Sequence, residues 1–236
     1  MKLNVAVVGA YGFVGKSLCS ALKSTKNVAL VEIGRNDDLE NLIKKADTVI
    51  YAANSSKRFW AKNNPELDFH DTVEQTCKVK KLSKGKKFIL ISTISARVQL
   101  DTPYGRNRRS CETMLVDDSD ALIFRLGPMY GTERPTGALH DIVSNNKCFV
   151  SGDTYYAYVD VEYNARKITE LLHCKGLIEL GARNSISLNE IKEAVGSRTT
   201  FEGPVDTQIL QTTQKDAPDA YDIVSFAISS IPGAKK

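Results

Sequence analysis

The scarcities of this chain exclude several classes of protein. Its five cysteines, Cys19, Cys77, Cys111, Cys148 and Cys174, are widely spaced and form no CxxC pair, so neither a disulfide framework nor a zinc site is expected. A reducing cytosol is the simplest setting for such a chain, and the expected localisation is cytoplasmic. The three histidines, His70, His140 and His173, lack ligand-like spacing with Cys, Asp or Glu, although His140 and Asp141 are adjacent; no metal is expected. No apolar run could span a bilayer, and Leu3–Val8 is too short and wrongly flanked for a signal peptide, so neither secretion nor membrane insertion is expected. Charge of one sign is also missing: 32 Lys plus Arg stand against 28 Asp plus Glu, leaving +4. The basic runs are Lys78, Lys80, Lys81, Lys84, Lys86 and Lys87, which read as a mostly solvated helix end, and Arg106, Arg108 and Arg109. A nucleic-acid binder would be more lopsided. Internal repeats and low-complexity tracts are absent.

What remains is an ordinary globular composition, 236 residues with 42% hydrophobic, large enough to bury roughly 70–75% of its unfolded surface without staples. Leu3–Val8 is a short β-branched run closed by Gly9, and Val14, Leu18, Ala21 and Leu22 then recur at helical spacing through Lys16–Lys23. Val28–Ile33 predicts a second strand, Leu39, Leu42 and Ile43 a helix running to Ala46, and Thr48–Ala53 a third strand. Glu66–Leu82 predicts a helix with Phe69, Val73, Cys77 and Lys81 along one side; Phe88–Ile91 predicts a strand, Tyr104–Leu115 a helix, Ala121–Arg125 a strand. Alternating strands and helices imply a parallel sheet, because a parallel connection needs a crossover long enough to hold a helix. The expected architecture is α/β and doubly wound. Beyond Gly127 the pattern loosens: Pro128, Pro135 and Gly137 punctuate a loop, Tyr155–Val161 predicts a strand, Ala165–Leu172 and Leu188–Val195 predict helices, and the tail from Ile231 is expected to fray.

Gly9-Ala10-Tyr11-Gly12-Phe13-Val14-Gly15 follows the first strand and opens the first helix with the spacing GxxGxxG. Glycines there permit a tight turn, let backbone N–H groups approach a diphosphate at the positive helix end, and let helix and sheet pack closely. A bare βα turn is the simpler explanation of a lone match, but the flanking strand and helix supply the context of a dinucleotide site. The second strand ends Glu32-Ile33-Gly34-Arg35. An acid at that end holds a ribose 2′-hydroxyl in NAD sites; Arg35 and Asn36, standing where a 2′-phosphate would lie, favour NADP, with NAD as the other option.

The strand Phe88–Ile91 runs into Ser92-Thr93-Ile94-Ser95, and Pro103-Tyr104-Gly105-Arg106-Asn107-Arg108 follows. With GxxGxxG, Ala52-Ala53 after the third strand and Arg125-Leu126-Gly127-Pro128-Met129-Tyr130-Gly131, these residues resemble the extended short-chain dehydrogenase/reductase family, in its NAD-dependent epimerase/dehydratase branch. The resemblance runs from Lys2 to about Glu193. It implies a Rossmann-type sheet, and a single NAD(P)-binding domain over residues 1–236 to which residues from about 128 onward add a small substrate-binding lobe. It implies Tyr104 as proton donor or acceptor, Thr93 with Ser92 beside it as the hydroxyl binding the reacting oxygen, and Arg108 where the family carries Lys. The cofactor residues it implies are Gly9, Tyr11, Gly12, Phe13, Val14, Gly15, Arg35, Asn36, Ala52, Ala53, Tyr104, Arg108 and Pro128. Physical chemistry agrees, since a phenol near pKa 10 is a poor base at neutral pH and a cation at i+4 meets it on one helix face. Arginine keeps the charge but is longer and planar. Tyr163 with Lys167 is a literal YxxxK, and Tyr130 is followed at i+4 by Arg134, but neither comes after a Ser/Thr-tipped strand in the required order.

The resemblance further implies that Tyr130, Arg134 and the segment Tyr155–Glu162 surround a carbohydrate or nucleotide-sugar substrate, with Arg134 placed to bind a diphosphate. The expected activity is hydride transfer between a nicotinamide and a sugar carbon, as a reductase or an epimerase, with Tyr104 as acid/base. Pairing through two helices into a homodimer is common among the relatives. The competing expectation is a dinucleotide-binding sensor or scaffold without turnover, which Arg108 in place of Lys favours.

Overall fold

The computed structural model describes residues 2–134 and 136–231; Pro135 and the tail beyond Ile231, expected as loop and frayed end, lie outside the described residues. The chain divides into two compact units, Met1–Leu126 with Ala165–Ile178 and Gly127–Asn164 with Glu179–Lys236. In the first, β1 (Leu3–Val8), α1 (Phe13–Lys23), β2 (Val28–Ile33), α2 (Leu39–Lys44) and β3 (Thr48–Tyr51) are followed by α3 (Arg58–Asn63), α4 (Pro65–Phe69), a π-helical turn at His70–Glu74 and α5 (Gln75–Leu82). Then come β4 (Lys87–Thr93), α6 (Ser95–Val98), α7 (Pro103–Thr113) and β5 (Leu122–Leu126). The second unit carries β6 (Met129–Tyr130), α8 (Ala138–Val143), β7 (Tyr155–Tyr156), β8 (Val159–Asp160), β10 (Ile186–Ser187), α10 (Leu188–Ala194) and α11 (Asp222–Ser229). Helix α9 (Val161–Glu170) and strand β9 (Gly176–Leu180) each straddle the division.

The main sheet has the order β2-β1-β3-β4-β5-β9. β1 pairs in parallel with β2 and β3, β3 with β4, and β4 with β5. This is the doubly wound α/β sheet expected. Its central strands read as unbroken apolar runs because both faces are covered: Val5–Val8, Thr48–Tyr51 and Phe88–Ser92 are buried throughout. The strand order reverses beside β1, with β2 on one side and β3 on the other, and at such a switch point the C-terminal strand ends leave a crevice.

The structure corrects several sequence expectations. The helix expected over Glu66–Leu82 begins at Pro65, and the π-helical turn separates its two α-helical parts. Of Phe69, Val73, Cys77 and Lys81 along one side of it, only Val73 packs against the core. Phe69, Cys77 and Lys81 are exposed, and Asp68, Thr72, Thr76 and Val79 are buried. The expected strand Tyr155–Val161 is two short pieces paired in different ladders, β7 with β10 and β8 with β6, and Val161 opens α9. β9 and α11 were not expected at all. Nor is the lysine run simply solvated: Lys80 pairs with Asp118, Lys86 Nζ donates to the carbonyls of Lys44 and Ala46, and Lys87 Nζ donates to that of Cys174 at 2.8 Å. Among the described residues no helix is long and apolar enough to cross a membrane.

Candidate functional site

The glycine turn stands at the C-terminal end of β1, at the switch point. Gly9 has φ +89°, in the left-handed region that favours glycine. A Cβ on Gly9 would lie 2.7 Å from Ala53 Cα and 2.8 Å from the Ala52 carbonyl carbon. A Cβ on Gly15 would lie 2.0 Å from the Gly9 carbonyl oxygen. Both positions therefore exclude any larger residue, and the turn, the first helix and the end of β3 close on one another. Gly9 and Ala10 donate their N–H groups to the Ile33 carbonyl at 2.9 and 3.2 Å, tying the turn to β2 as well. Helix α1 begins after Gly12 with no side-chain cap and no acidic residue in its first turn. Its positive end therefore carries no acidic side chain of its own. Gly12 and Tyr11 are exposed, Phe13 and Val14 half-buried, and the Tyr11 ring lies against Gly34.

At the end of β2, Glu32 is drawn to Lys23 on α1 at 2.9 Å. Burial, with Glu32 alongside, pushes the neighbouring Cys19 thiol up to about 12. Asp37 accepts from the Gly34 N–H at 2.7 Å and shapes the turn, while Arg35 and Asn36 are exposed on it.

β4 ends at Ser92 and Thr93. The half-buried Thr93 hydroxyl accepts from the Ser95 N–H at 3.3 Å as the chain turns into α6. Ser92 is buried and donates to Glu112 Oε1 at 2.6 Å; Arg125 on β5 grips the same carboxylate through Nε at 2.9 Å and Nη2 at 2.6 Å. This buried bidentate pair fixes α7 against β4 and β5. Thr102 caps α7 by accepting from the Gly105 N–H at 3.0 Å, and Pro103 takes the first position, where its missing N–H costs nothing. That places Tyr104 in the first turn, 7% exposed. A Cβ on Gly105 would fall 2.0 Å from the Gln99 carbonyl oxygen, so glycine there lets α7 and α6 meet.

Arg108, one turn after Tyr104, is only 2% exposed. Its guanidinium carbon lies 4.5 Å from the Tyr104 ring centroid, over the ring rather than at its hydroxyl. Its Nη1 donates to the Thr72 hydroxyl in the π-helical turn and its Nη2 to the Ser55 carbonyl in the loop after β3. Asn107 beside it donates to the buried Asp68 at 2.8 Å. Cys111 is buried against Thr72 and Thr76, a packing role, and burial raises its thiol.

In the second unit, Tyr130 is buried against Phe226, ring centroids 4.9 Å apart, and burial near Asp160 and Asp222 pushes its phenol up to about 12. Arg134 Nη1 donates to the Met129 carbonyl at 2.8 Å, and Pro128 is half-buried. Asp160 caps the start of α9 by accepting from the Glu162 N–H at 2.9 Å. Among the described residues no group of His, Cys, Asp and Glu could hold a metal ion.

Sequence reading missed Glu112 and Asn54. Glu112 shares a helix face with Tyr104 and Arg108 at i, i+4 and i+8, a spacing that could have disclosed it. Asn54, whose amide atoms are buried and unpaired, carries no signal in the sequence.

No family model matches the chain. A UDP-2-acetamido-2,6-beta-L-arabino-hexul-4-ose reductase from Pseudomonas aeruginosa (strain PA103) is 28% identical over 141 residues, 55% of this chain and 36% of that protein. The chain thus spans little more than a third of the curated relative it matches. Among solved structures, a UDP-N-acetylglucosamine 4-epimerase from Methanobrevibacter ruminantium M1 in complex with UDP-N-acetylmuramic acid superposes with TM-score 0.79 at 17% identity, covering 98% of each chain. A dTDP-4-dehydrorhamnose reductase from Bacillus anthracis str. Ames in complex with NADP gives 0.79 at 16% identity, covering 97% of this chain and 99% of that one. The chain therefore shares the Rossmann-type α/β fold of these two structures.

Proposed function

We propose that this protein is an NAD(P)-dependent oxidoreductase or epimerase acting on a carbohydrate, in the first instance a nucleotide-linked sugar. The observation that carries the reading is the cradle at the switch point. Gly9 and Gly15 leave no room for a Cβ, α1 has neither cap nor acid at its start, and the end of β3 lies directly against the turn. These residues fit a dinucleotide diphosphate, which needs close backbone approach at the positive end of a helix. Gly9, Gly12 and Gly15 with Tyr11, Phe13 and Val14 would hold it, Ala52 and Ala53 would back it, and Pro128 is proposed on the resemblance. NADP is favoured over NAD because Arg35 is an exposed cation in the turn after β2, while the acid nearest that strand end, Glu32, is paired with Lys23.

A bound nicotinamide supplies hydride chemistry at the substrate carbon. On this reading Tyr104 exchanges the proton and Thr93 holds the reacting oxygen, with Ser92 beside it set by Glu112. Arg108 packs its buried guanidinium against the Tyr104 ring and so holds the ring in place. Tyr130 and Arg134 are proposed to contact the sugar or its diphosphate. The molecule bound in one similar structure, UDP-N-acetylmuramic acid, gives the class to screen.

A second reading, a dinucleotide-binding sensor or scaffold without turnover, is favoured by the commitments of Arg108 to Thr72 and Ser55, which leave its charge over the ring face. One experiment separates the two. Coenzyme fluorescence on titration with NADPH and NADH, followed by turnover over a panel of nucleotide sugars, is expected to give binding with NADPH the tighter, and turnover that Tyr104→Phe reduces by at least 100-fold while coenzyme affinity stays within a few-fold. Binding without turnover supports the sensor. Undiminished turnover in Tyr104→Phe refutes the acid/base assignment.

A further inference from the structure

We propose that this chain pairs with a second copy of itself through the outer edge of β2, the two strands running antiparallel about a two-fold axis at Leu30. β2 is the first strand of the order β2-β1-β3-β4-β5-β9, so only one of its sides is paired. Which backbone groups remain follows from the register. The Leu3 N–H donates to the Asn27 carbonyl and the Gly9 N–H to that of Ile33, and Leu3–Val8 lies parallel to Val28–Ile33. Alternation along the strand then turns the N–H and C=O groups of Ala29, Val31 and Ile33 towards β1 and those of Val28, Leu30 and Glu32 away from it. Among the described residues no hydrogen bond reaches these outward groups.

An open edge is a template for another strand unless a proline, a lysine or a bulge blunts it. Val28–Ile33 contains neither Pro nor Lys, and its pairing with β1 runs without a bulge. Its one charge, Glu32, is neutralised by Lys23 at 2.9 Å. The side chains are unfinished as well: Val5–Val8 and Thr48–Tyr51 are buried throughout, whereas in β2 only Ile33 is, and Val28–Glu32 stay half-buried. Charge selects the occupant. Beside the start of the strand stand exposed Lys2 and Lys26, and beyond its end exposed Asp37 and Asp38 against a single Arg35. A parallel neighbour of the same sequence would set lysine against lysine, but an antiparallel copy sets each basic end against an acidic one. A two-fold axis gives that order and makes the contact self-complementary. With the axis at Leu30 every outward group is used: Leu30 exchanges both bonds with Leu30 of the second copy, and Val28 exchanges both with Glu32 of the second copy.

Sedimentation equilibrium of the purified chain over a range of concentrations tests this, with amide hydrogen exchange read residue by residue on the same samples. The mass is expected to climb from one chain towards two with concentration. As it does, the Val28, Leu30 and Glu32 N–H groups pass from fast to slow exchange, while those of Ala29 and Val31, which face β1, stay slow throughout. Leu30→Pro removes an outward N–H that the chain itself does not use and sets a ring against the incoming strand; it is expected to weaken association at least about tenfold. Lys26→Glu alters an exposed residue outside the strand, and is expected to keep the unfolding temperature and to weaken association about threefold or more, the loss being larger at low salt. If Leu30→Pro does not fold, Lys26→Glu and the exchange pattern decide. A mass that stays at one chain at every concentration overturns the proposal and leaves the edge to a strand of another protein or to none. Association that the variants leave intact, with Val28, Leu30 and Glu32 still exchanging fast, overturns it too, because the copies then meet through another surface.

Discussion

At Gly15 a single methyl group decides whether the first turn can form. Its Cβ would sit 2.0 Å from the Gly9 carbonyl oxygen, a backbone atom that can move only by opening the turn. Gly15→Ala is therefore expected to lower stability by about 1–3 kcal/mol, the usual cost of forcing atoms into a packed site, and to abolish NADPH binding. Gly12→Ala is its control, since a Cβ there meets Gly9 O at an ordinary 3.4 Å. Urea unfolding and coenzyme titration of both variants check this, and equal behaviour of the two would refute it. The Gly9, Gly12 and Gly15 spacing was legible in sequence because backbone sterics act locally. The roles around Arg108 were only half legible. Helical spacing put it on the Tyr104 face, but its donors are used by Thr72, 36 residues earlier, and by Ser55, 53 residues earlier.

At the scale of elements, α7 shows local and distant causes side by side. Thr102-Pro103 starts it by capping chemistry that any such dipeptide would supply, and Thr102→Ala is expected to cost about 1 kcal/mol, measured as a shift in the urea midpoint. An unchanged midpoint would mean that packing alone fixes the helix start. The buried side of α7 is unusually polar. Asn107 and Arg108 face Asp68 and Thr72, and Cys111 faces Thr72 and Thr76. This is why apolar periodicity does not find the buried stripe of the segment 66–82: it selects Phe69, Val73 and Cys77, of which only Val73 packs against the core, one position along from Asp68, Thr72 and Thr76. Hydrophobic pattern predicts burial only where the partner surface is apolar. The strand expected over Tyr155–Val161 failed for a related reason, since β-propensity does not say with which neighbour a segment pairs.

At the scale of the molecule, pH is a direct probe of the hydrogen-bonded carboxylates in each unit. Hydrogen bonding to Lys80 holds the Asp118 carboxyl below the ordinary carboxylate range in the first unit. In the second, Glu190 is lowered by Tyr221 and Ser187, and Asp219 by the Tyr221 N–H and Asn184. A folded value below the unfolded one, near 4, means stability that is present above about pH 4 and lost as pH falls through the lowered value. The urea midpoint is expected to fall from about pH 5 to about pH 3, and a flat midpoint over that range would show these pairs to be energetically silent. By itself the sequence determined the alternation of strands and helices, the parallel doubly wound sheet and the glycine turn at the end of its first strand, because propensity, crossover length and backbone sterics operate within a few residues. Only the tertiary structure decided that β9 joins the sheet, that a polar stripe lies inside and that Arg108 is shared between a ring, a hydroxyl and a carbonyl. It alone left Asn54 buried without a partner, because burial and hydrogen-bond pairing depend on which distant segments meet.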